Sequence, residues 1–357
     1  MIKNKILILS SAQFGYSTTT YKYCEYSLEQ FEITYLCWDY NLPRIELPSV
    51  TVKYISRDSS LLKRNFTLLH TFHKEIQNGY DLIFLTYVRG ISFIKILNLN
   101  SRFLMYIDTF GVMANAKKRW VYDAILKLEV SFYSNVAVIS DGLAKRLGRK
   151  KYEILPLGGM CFNNEPKSFE KLELLYVGTL ENRRIIDCVK GFHKYLIKYE
   201  IEQNGVIFKI IGDSPNHELE EIRQYVKSNN LLETIHLIGY VPQKELNPYF
   251  KSANIGVSFV PMESYFEYQP PTKTFEYLIS GLPVIATGTY ENRKLITSWA
   301  GVIINDNADA FCEGIAKLQS KKIDFCSERI RKEYSKYTWK KAVASHFIPI
   351  IKNLTSN

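Results

Sequence analysis

Short runs of β-branched and aromatic residues alternate with stretches of helical spacing along the whole chain, and this alternation restricts the available folds more than any other feature. The apolar runs lie at 5–10, 33–38, 51–55, 81–86, 103–107 and 136–140, then at 172–178, 206–212, 235–238, 255–259 and 283–287. Between most of them the apolar residues recur at spacings of three and four, as at 61–76 and 189–199. This is the pattern of βαβ units, in which parallel strands are buried on both faces by helices. At 357 residues the chain exceeds what a single core comfortably fills. The alternation is also interrupted at 156–171, where Gly158-Gly159, Asn163-Asn164, Pro166 and mixed charge collect. The expectation is an α/β chain of two Rossmann-like doubly wound domains: residues 1–160, a linker at 161–171, residues 172–337, and a closing helix and tail at 338–357. Open parallel sheets take ligands beyond the carboxyl ends of their strands, and two such domains face each other across a cleft.

Composition narrows the class further. Hydrophobic residues make up 46% and charged residues 23%, which suits an ordinary globular chain. Near the amino terminus Lys3 and Lys5 precede the apolar run Ile6-Leu-Ile-Leu9. The run is too short for the hydrophobic region of a signal peptide, about 7–15 residues, and reads as a first buried strand. The longest apolar stretch, 81–99, is broken by Arg89, Gly90 and Lys95, so no spanning helix is expected. The six cysteines are scattered without a CxxC pair, as in a reduced cytoplasmic protein. The six histidines form neither a zinc pattern nor a triad, and no metal site is expected.

The densest chemistry lies in Glu267-Tyr-Gln-Pro-Pro-Thr-Lys-Thr-Phe-Glu276 and its continuation to Thr287. Pro270-Pro271 stiffens a loop and suits a helix start, Gly281 suits a helix end, and 283–287 reads as a buried strand. Free amides and the positive end of the helix dipole make such a start an anion site. Lys273 in the first turn opposes the dipole unless an anion lies there, and Glu276 follows on nearly the same face. The pair suits a nucleotide, lysine and amides on a diphosphate and carboxylate on ribose hydroxyls. Equally, Glu276 caps the helix or pairs with Lys273.

The run from Pro271 to Thr287 resembles the donor-binding segment of retaining glycosyltransferases of the GT-B fold, in glycosyltransferase family 4 and its relatives. Matches in register include Leu175-Tyr-Val-Gly-Thr-Leu180, Phe208-Lys-Ile-Ile-Gly-Asp213, Ile235-His-Leu-Ile-Gly-Tyr-Val-Pro242 and Lys251-Ser-Ala-Asn-Ile-Gly-Val-Ser258. The resemblance is continuous over about 172–342, where Tyr337-Thr-Trp-Lys-Lys341 resembles the start of a closing helix that crosses back to the first domain. It is thinner in the first half. It implies that Glu276 holds the donor ribose, and that Lys273, Pro271 and Thr272 lie near the diphosphate. It implies too that Gly178 and Thr179 open a loop facing the phosphates, with Arg183 and Arg184 as its cations, and that Tyr240 and Val241 lie beside the base. Two guanidinium groups grip phosphate oxygens well, although either equally suits a solvated helix start.

One departure bears on the chemistry. Many relatives carry two glutamates eight positions apart, but eight before Glu276 stands Tyr268, and Glu267 misses the register by one. Glu267 in an altered loop, or backbone amides alone, would then serve near the transferred sugar. In the first domain, Gly15 and Tyr16 follow the first strand and either approach a phosphate or form an ordinary turn. Asp108, at a strand's carboxyl end, either orients an acceptor hydroxyl or caps a turn. Asp108, Lys273 and Glu267 are the catalytic candidates.

These residues lead to a metal-independent hexosyltransferase that needs no cofactor, with a nucleotide-diphosphate sugar as donor. A nucleotide-sugar 2-epimerase shares the fold but leans on histidines that are poorly placed here. Nucleic-acid binding is disfavoured because the cations are spread through βαβ units without a recognisable motif. The net charge is +10, and residues 1–160 hold 21 Lys+Arg against 13 Asp+Glu, which leaves 25 against 23 for the rest. The excess thus lies in the expected acceptor domain, in Lys63-Arg64, Lys117-Lys-Arg119 beside Trp120 and Tyr122, and residues 146–151. Such clusters either solvate a surface or dock a peripheral protein on the anionic inner face of a membrane, where the acceptor is a lipid-diphosphate-linked glycan of surface polysaccharide synthesis.

Overall fold

The runs 5–10 and 81–86 become neighbours at the centre of a parallel sheet, which explains why they are apolar on both faces. The computed structural model describes residues 3–113, 115–201, 205–214, 217–321 and 324–356. Its strands are β1 (Asn4–Ser10), β2 (Phe31–Trp38), β3 (Val50–Ile55), β4 (Leu82–Thr86), β5 (Phe103–Ile107), β6 (Val136–Val138) and β7 (Glu153–Ile154) in one sheet. The second sheet holds β8 (Leu172–Val177), β9 (Val206–Ile211), β10 (Ile235–Gly239), β11 (Ile255–Ser258), β12 (Val284–Thr287) and β13 (Gly301–Ile304). The orders are β3-β2-β1-β4-β5-β6-β7 and β10-β9-β8-β11-β12-β13, and the pairings are parallel. Both are doubly wound, with the reversal of strand order between β1 and β4 and between β8 and β11.

The chain divides at Leu157/Gly158 and again at Thr338/Trp339, so the last helix belongs to the first unit. Within that unit the helix Thr18–Ser27 lies against this carboxyl-terminal segment. Tyr23 stacks on Phe347 at 4.4 Å between ring centroids, and Trp339 packs edge-on to Tyr23. Asn4 Nδ2 donates to Thr355 Oγ1 at 2.7 Å and Lys352 Nζ to Gln30 Oε1 at 2.6 Å, fixing the end of the helix to the start of the sheet. Because β1, β2 and β3 advance toward one edge while β4, β5 and β6 advance toward the other, right-handed crossovers place the intervening helices on opposite faces.

Residues 161–171 are packed rather than strung out. Phe162 lies 4.5 Å from Phe250 between centroids, its N–H donates to Ser280 Oγ at 3.0 Å, and Asn254 Nδ2 donates to the carbonyls of Ser168 and Lys171. The segment belongs to the second unit. Two strands escape the sequence pattern. β7 has two residues at a sheet edge, and β13 has four and pairs only β12, with too few residues to show a period.

Glycines end β8, β9 and β10 of the second sheet. Gly178, Gly212 and Gly239 all have positive φ (146°, 146° and 82°), with Gly178 N–H donating to Ile211 O and Gly212 N–H to Gly239 O. A Cβ on Gly212 would stand 1.9 Å from the Gly178 carbonyl oxygen, a backbone atom that cannot yield. Gly212→Ala is therefore expected to destabilise the second unit by more than about 3 kcal/mol, combining steric overlap with a backbone conformation that alanine rarely adopts. Thermal unfolding checks this, and a melting temperature within a degree of wild type would contradict it.

Candidate functional site

The carboxyl ends of β8 and β11 flank the strand-order reversal of the second unit, and the helix Thr272–Ile279 begins beside them. Its cap position is Pro271, and no side chain caps it. The first amides are left to a ligand or to solvent. Tyr277 anchors the helix to β8, since its buried hydroxyl accepts the Val177 N–H at 2.8 Å. Gly256 on β11 makes room, because a Cβ there would stand 2.2 Å from the Tyr277 ring. A buried polar chain completes the anchoring: Ser258 Oγ and Thr274 Oγ1 lie 2.6 Å apart, Thr274 Oγ1 donates to Asn292 Oδ1 at 3.2 Å, and Asn292 Nδ2 donates to Thr287 O at 2.9 Å. The helix start is thus held from below by hydrogen bonds and by an aromatic ring.

Two cations meet at this start. The Lys273 ammonium lies 3.7 Å from the Tyr176 ring centroid, and a Cβ on Gly178 would come within 2.7 Å of it. The Arg183 guanidinium lies 4.2 Å over the Phe266 ring. Burial, helped by the Arg183 charge, pulls Lys273 down to about 7, and burial likewise lowers Arg183. Among the described residues neither side chain has a hydrogen bond or a carboxylate ion pair. Two enclosed cations facing one helix amino terminus make a strong demand for an anion. Glu276, one turn on, is 8% exposed, and Gln243 Nε2 lies 3.5 Å from its Oε1.

The other candidates separate into those that face this point and those that do not. Thr179 shapes the loop after Gly178: its carbonyl accepts from the Tyr176 hydroxyl at 2.6 Å, and its Oγ1 accepts the Glu181 N–H. Pro271 and Thr272 stand at the helix start. Arg184 turns away, at the cap of the helix Ile185–Lys198, and pairs with Asp187 at 2.7 Å and Asp306 at 3.2 Å. Glu267 is committed to a helix cap, its Oε2 accepting the Tyr290 N–H at 2.7 Å at the start of Tyr290–Leu295. Tyr240 and Val241 follow β10, and the Tyr240 ring is 76% exposed. In the first unit Gly15 is covered by Ile45, whose side chain a Cβ would meet at 2.5 Å, and the Tyr16 hydroxyl donates to Pro43 O at 3.0 Å. That geometry is an ordinary turn. Asp108 is exposed at the end of β5.

Three contributors escape sequence reading. Tyr176 supplies the ring beneath Lys273, Phe266 the ring beneath Arg183, and Gln243 the partner of Glu276. Tyr176 had a signal in its position two residues before Gly178 on a strand. Phe266 and Gln243 sit in loops whose folding back nothing local announces.

Residues 171–321 match a family model described as Glycosyl transferases group 1. A comparison with curated proteins finds no match. Among solved structures, the sucrose-phosphate synthase of Thermosynechococcus elongatus is similar at 16% identity and a TM-score of 0.76, over 99% of this chain and 100% of that one. HepE of Anabaena, in complex with UDP and glucose, is similar at 11% identity and 0.75, over 99% and 100%. The lipopolysaccharide outer core galactosyltransferase WaaB is similar at 14% identity and 0.71, over 97% and 99%. At these identities the likeness establishes the fold, two Rossmann-like units as in GT-B glycosyltransferases.

Proposed function

We propose that the protein is a retaining glycosyltransferase that moves a hexosyl group from a nucleoside-diphosphate sugar to a glycan carried on a lipid diphosphate. The observation that carries the donor half of this reading is the pair of cations, Lys273 and Arg183, that among the described residues have no carboxylate partner, at the start of Thr272–Ile279, which no side chain caps. Glu276 lies a turn beyond, 8% exposed, and in this reading takes the ribose. The family match covers this segment. The UDP and glucose held by HepE support a uridine donor, and the name of WaaB supports a lipid-borne acceptor.

In this mechanism the negative charge developing on the leaving diphosphate is met by Lys273, Arg183 and the helix amides, so the chemistry is electrostatic and positional. These charges take the part that a divalent ion plays elsewhere, and turnover in chelator is expected. Glu276 orients the nucleoside through its ribose. With Glu267 engaged by the Tyr290 amide, the sugar itself is left to backbone donors near the helix start.

Thermal-shift titration against uridine, guanosine and adenosine diphosphate sugars tests the donor class. One of these is expected to raise the melting temperature in proportion to log concentration, because a true donor binds only the folded protein. No shift with any of them would remove the reading, and turnover without an acceptor would replace it with an epimerase.

A further inference from the structure

The helices Leu61–Ile76, Ile91–Leu97 and Ala116–Ser131 pack in succession on one face of the first sheet. Large apolar side chains are exposed on each: Leu62 (84%) and Phe66 (71%) on the first, Phe93 (61%) and Leu97 (60%) on the second, and Trp120 (72%) on the third. Of 21 large hydrophobic residues exposed among the described residues, nine lie on these three helices. Between the first two runs an apolar groove of about 520 Å³, lined by Phe66, Leu69, His70, Phe93, Ile94 and Leu97. Scattered exposed apolar residues need no explanation, but a groove lined by them between two helices, with further exposed apolar residues on the neighbouring third, does.

The charge on the same helices is one-sided. They carry eight cations (63, 64, 74, 95, 117–119 and 127) against three carboxylates, Glu75, Asp123 and Glu129. All three carboxylates are turned to partners within the unit. Glu75 accepts from Lys53 at 2.7 Å, Asp123 from Arg146 and the Gly111 N–H at 2.8 Å each, and Glu129 from the Gly90 N–H at 2.7 Å. None is exposed. In the second unit, by contrast, helix cations sit opposite exposed acids, as in Lys194–Asp309 and Lys198–Glu313.

Exposed apolar side chains and exposed cations on three neighbouring helices that carry no exposed acid are complementary to one kind of surface. We propose that this face docks on an anionic phospholipid leaflet, with Phe66, Phe93 and Trp120 at the acyl boundary and Lys63, Lys117 and Lys118 among the headgroups. A soluble protein partner would have to supply acids matched to three separate helices, whereas an anionic bilayer supplies them everywhere. Long lysine side chains keep their charge in the headgroup region while their stems lie along apolar surface. Docking in this manner stands apart from the transferase reading, since it requires neither donor nor acceptor.

Trp120 makes the face report on itself, because Trp38 and Trp339 are buried and Trp299 is only partly exposed. The full chain, mixed with phosphatidylcholine vesicles containing 30 mol% phosphatidylglycerol, is expected to co-sediment at low salt. Its emission should shift to the blue and be quenched by acyl-brominated lipid. With phosphatidylcholine alone binding should fall at least tenfold. The exposed triple variant Lys63→Gln, Lys117→Gln, Lys118→Gln should lose on the order of 100-fold in affinity at an unchanged melting temperature. Phe66→Ser with Phe93→Ser should retain weak salt-sensitive binding. Trp120→Phe should abolish most of the quenching. Sedimentation indifferent to phosphatidylglycerol, or a triple variant that binds normally, overturns the proposal. So does a blue-shifted Trp120 with a dimeric sedimentation coefficient in the absence of lipid, which would assign the face to a second copy.

Discussion

Glu276→Ala is expected to lower kcat/KM for the nucleotide-sugar donor by about two orders of magnitude while leaving the melting temperature within a few degrees of wild type. Under the proposed function its carboxylate accepts from the ribose hydroxyls, and hydrogen bonds to a charged group are worth about 1.5–3 kcal/mol each. Loss of one strong or two weaker bonds of this kind, about 3 kcal/mol in all, corresponds to roughly 100–200-fold at 1.36 kcal/mol per factor of ten. Little of this belongs to folding. The anchors of Thr272–Ile279 are elsewhere, in Tyr277, which accepts the Val177 N–H, and in the buried chain through Thr274 and Asn292. Glu276→Gln keeps one acceptor oxygen and should recover part of the loss, mainly in the donor KM. Kinetics with the donor identified by thermal shift decide the matter. An alanine variant with near-normal kcat/KM would falsify the ribose role and with it the nucleotide assignment at this helix.

How much of this was visible in the sequence depends on how local each signal is. The eleven expected runs became strands because a parallel strand covered on both faces is apolar at nearly every position, as in Ile6–Leu9 of β1, all buried. The start of Thr272–Ile279 was marked by Pro270-Pro271 and its end by Gly281, with φ +80°. What could not be read were the choices made by distant contacts. Arg183 and Arg184 are adjacent in sequence, and it takes Asp306, 122 residues away, together with Asp187 to draw the second aside. Glu267 is captured by an amide 23 residues on, and Gly15 is covered by Ile45. The basic clusters were plain in the sequence as well. Only the structure divides them, however, committing Arg146 to Asp123 and Arg149 to the Tyr133 carbonyl while leaving Lys63, Lys117 and Lys118 exposed.

Lys273→Met is expected to cost catalysis and to raise stability together, and both effects should shrink as pH rises. In the free protein Lys273 titrates at about 7, pulled down by burial and by Arg183. The ammonium needed for a diphosphate is therefore present below that pH and lost above it, so wild-type kcat/KM should fall tenfold per unit on the alkaline side. A bound diphosphate adds negative charge beside the amine and moves the same limb of kcat upward. Methionine removes the charge: kcat/KM should drop by about 10²–10³-fold, the usual effect of deleting one electrostatic stabiliser, and the alkaline limb should vanish. Folding responds to the same shift with a definite sign. An unfolded lysine titrates near 10.4, roughly, so above that pH both states are neutral and nothing is lost. As pH falls toward 7 the unfolded chain gains a proton that the folded one resists, and the penalty is complete below the folded value. The Tyr176 ring offsets only part of it. Methionine, filling the same space against Tyr176 without charge, should thus raise the melting temperature at pH 6 by a few degrees, with the gain shrinking to nothing near pH 10. A variant less stable than wild type at pH 6, or one whose kcat/KM still declines above pH 7, would show that Lys273 is neither the strained cation nor the titrating one.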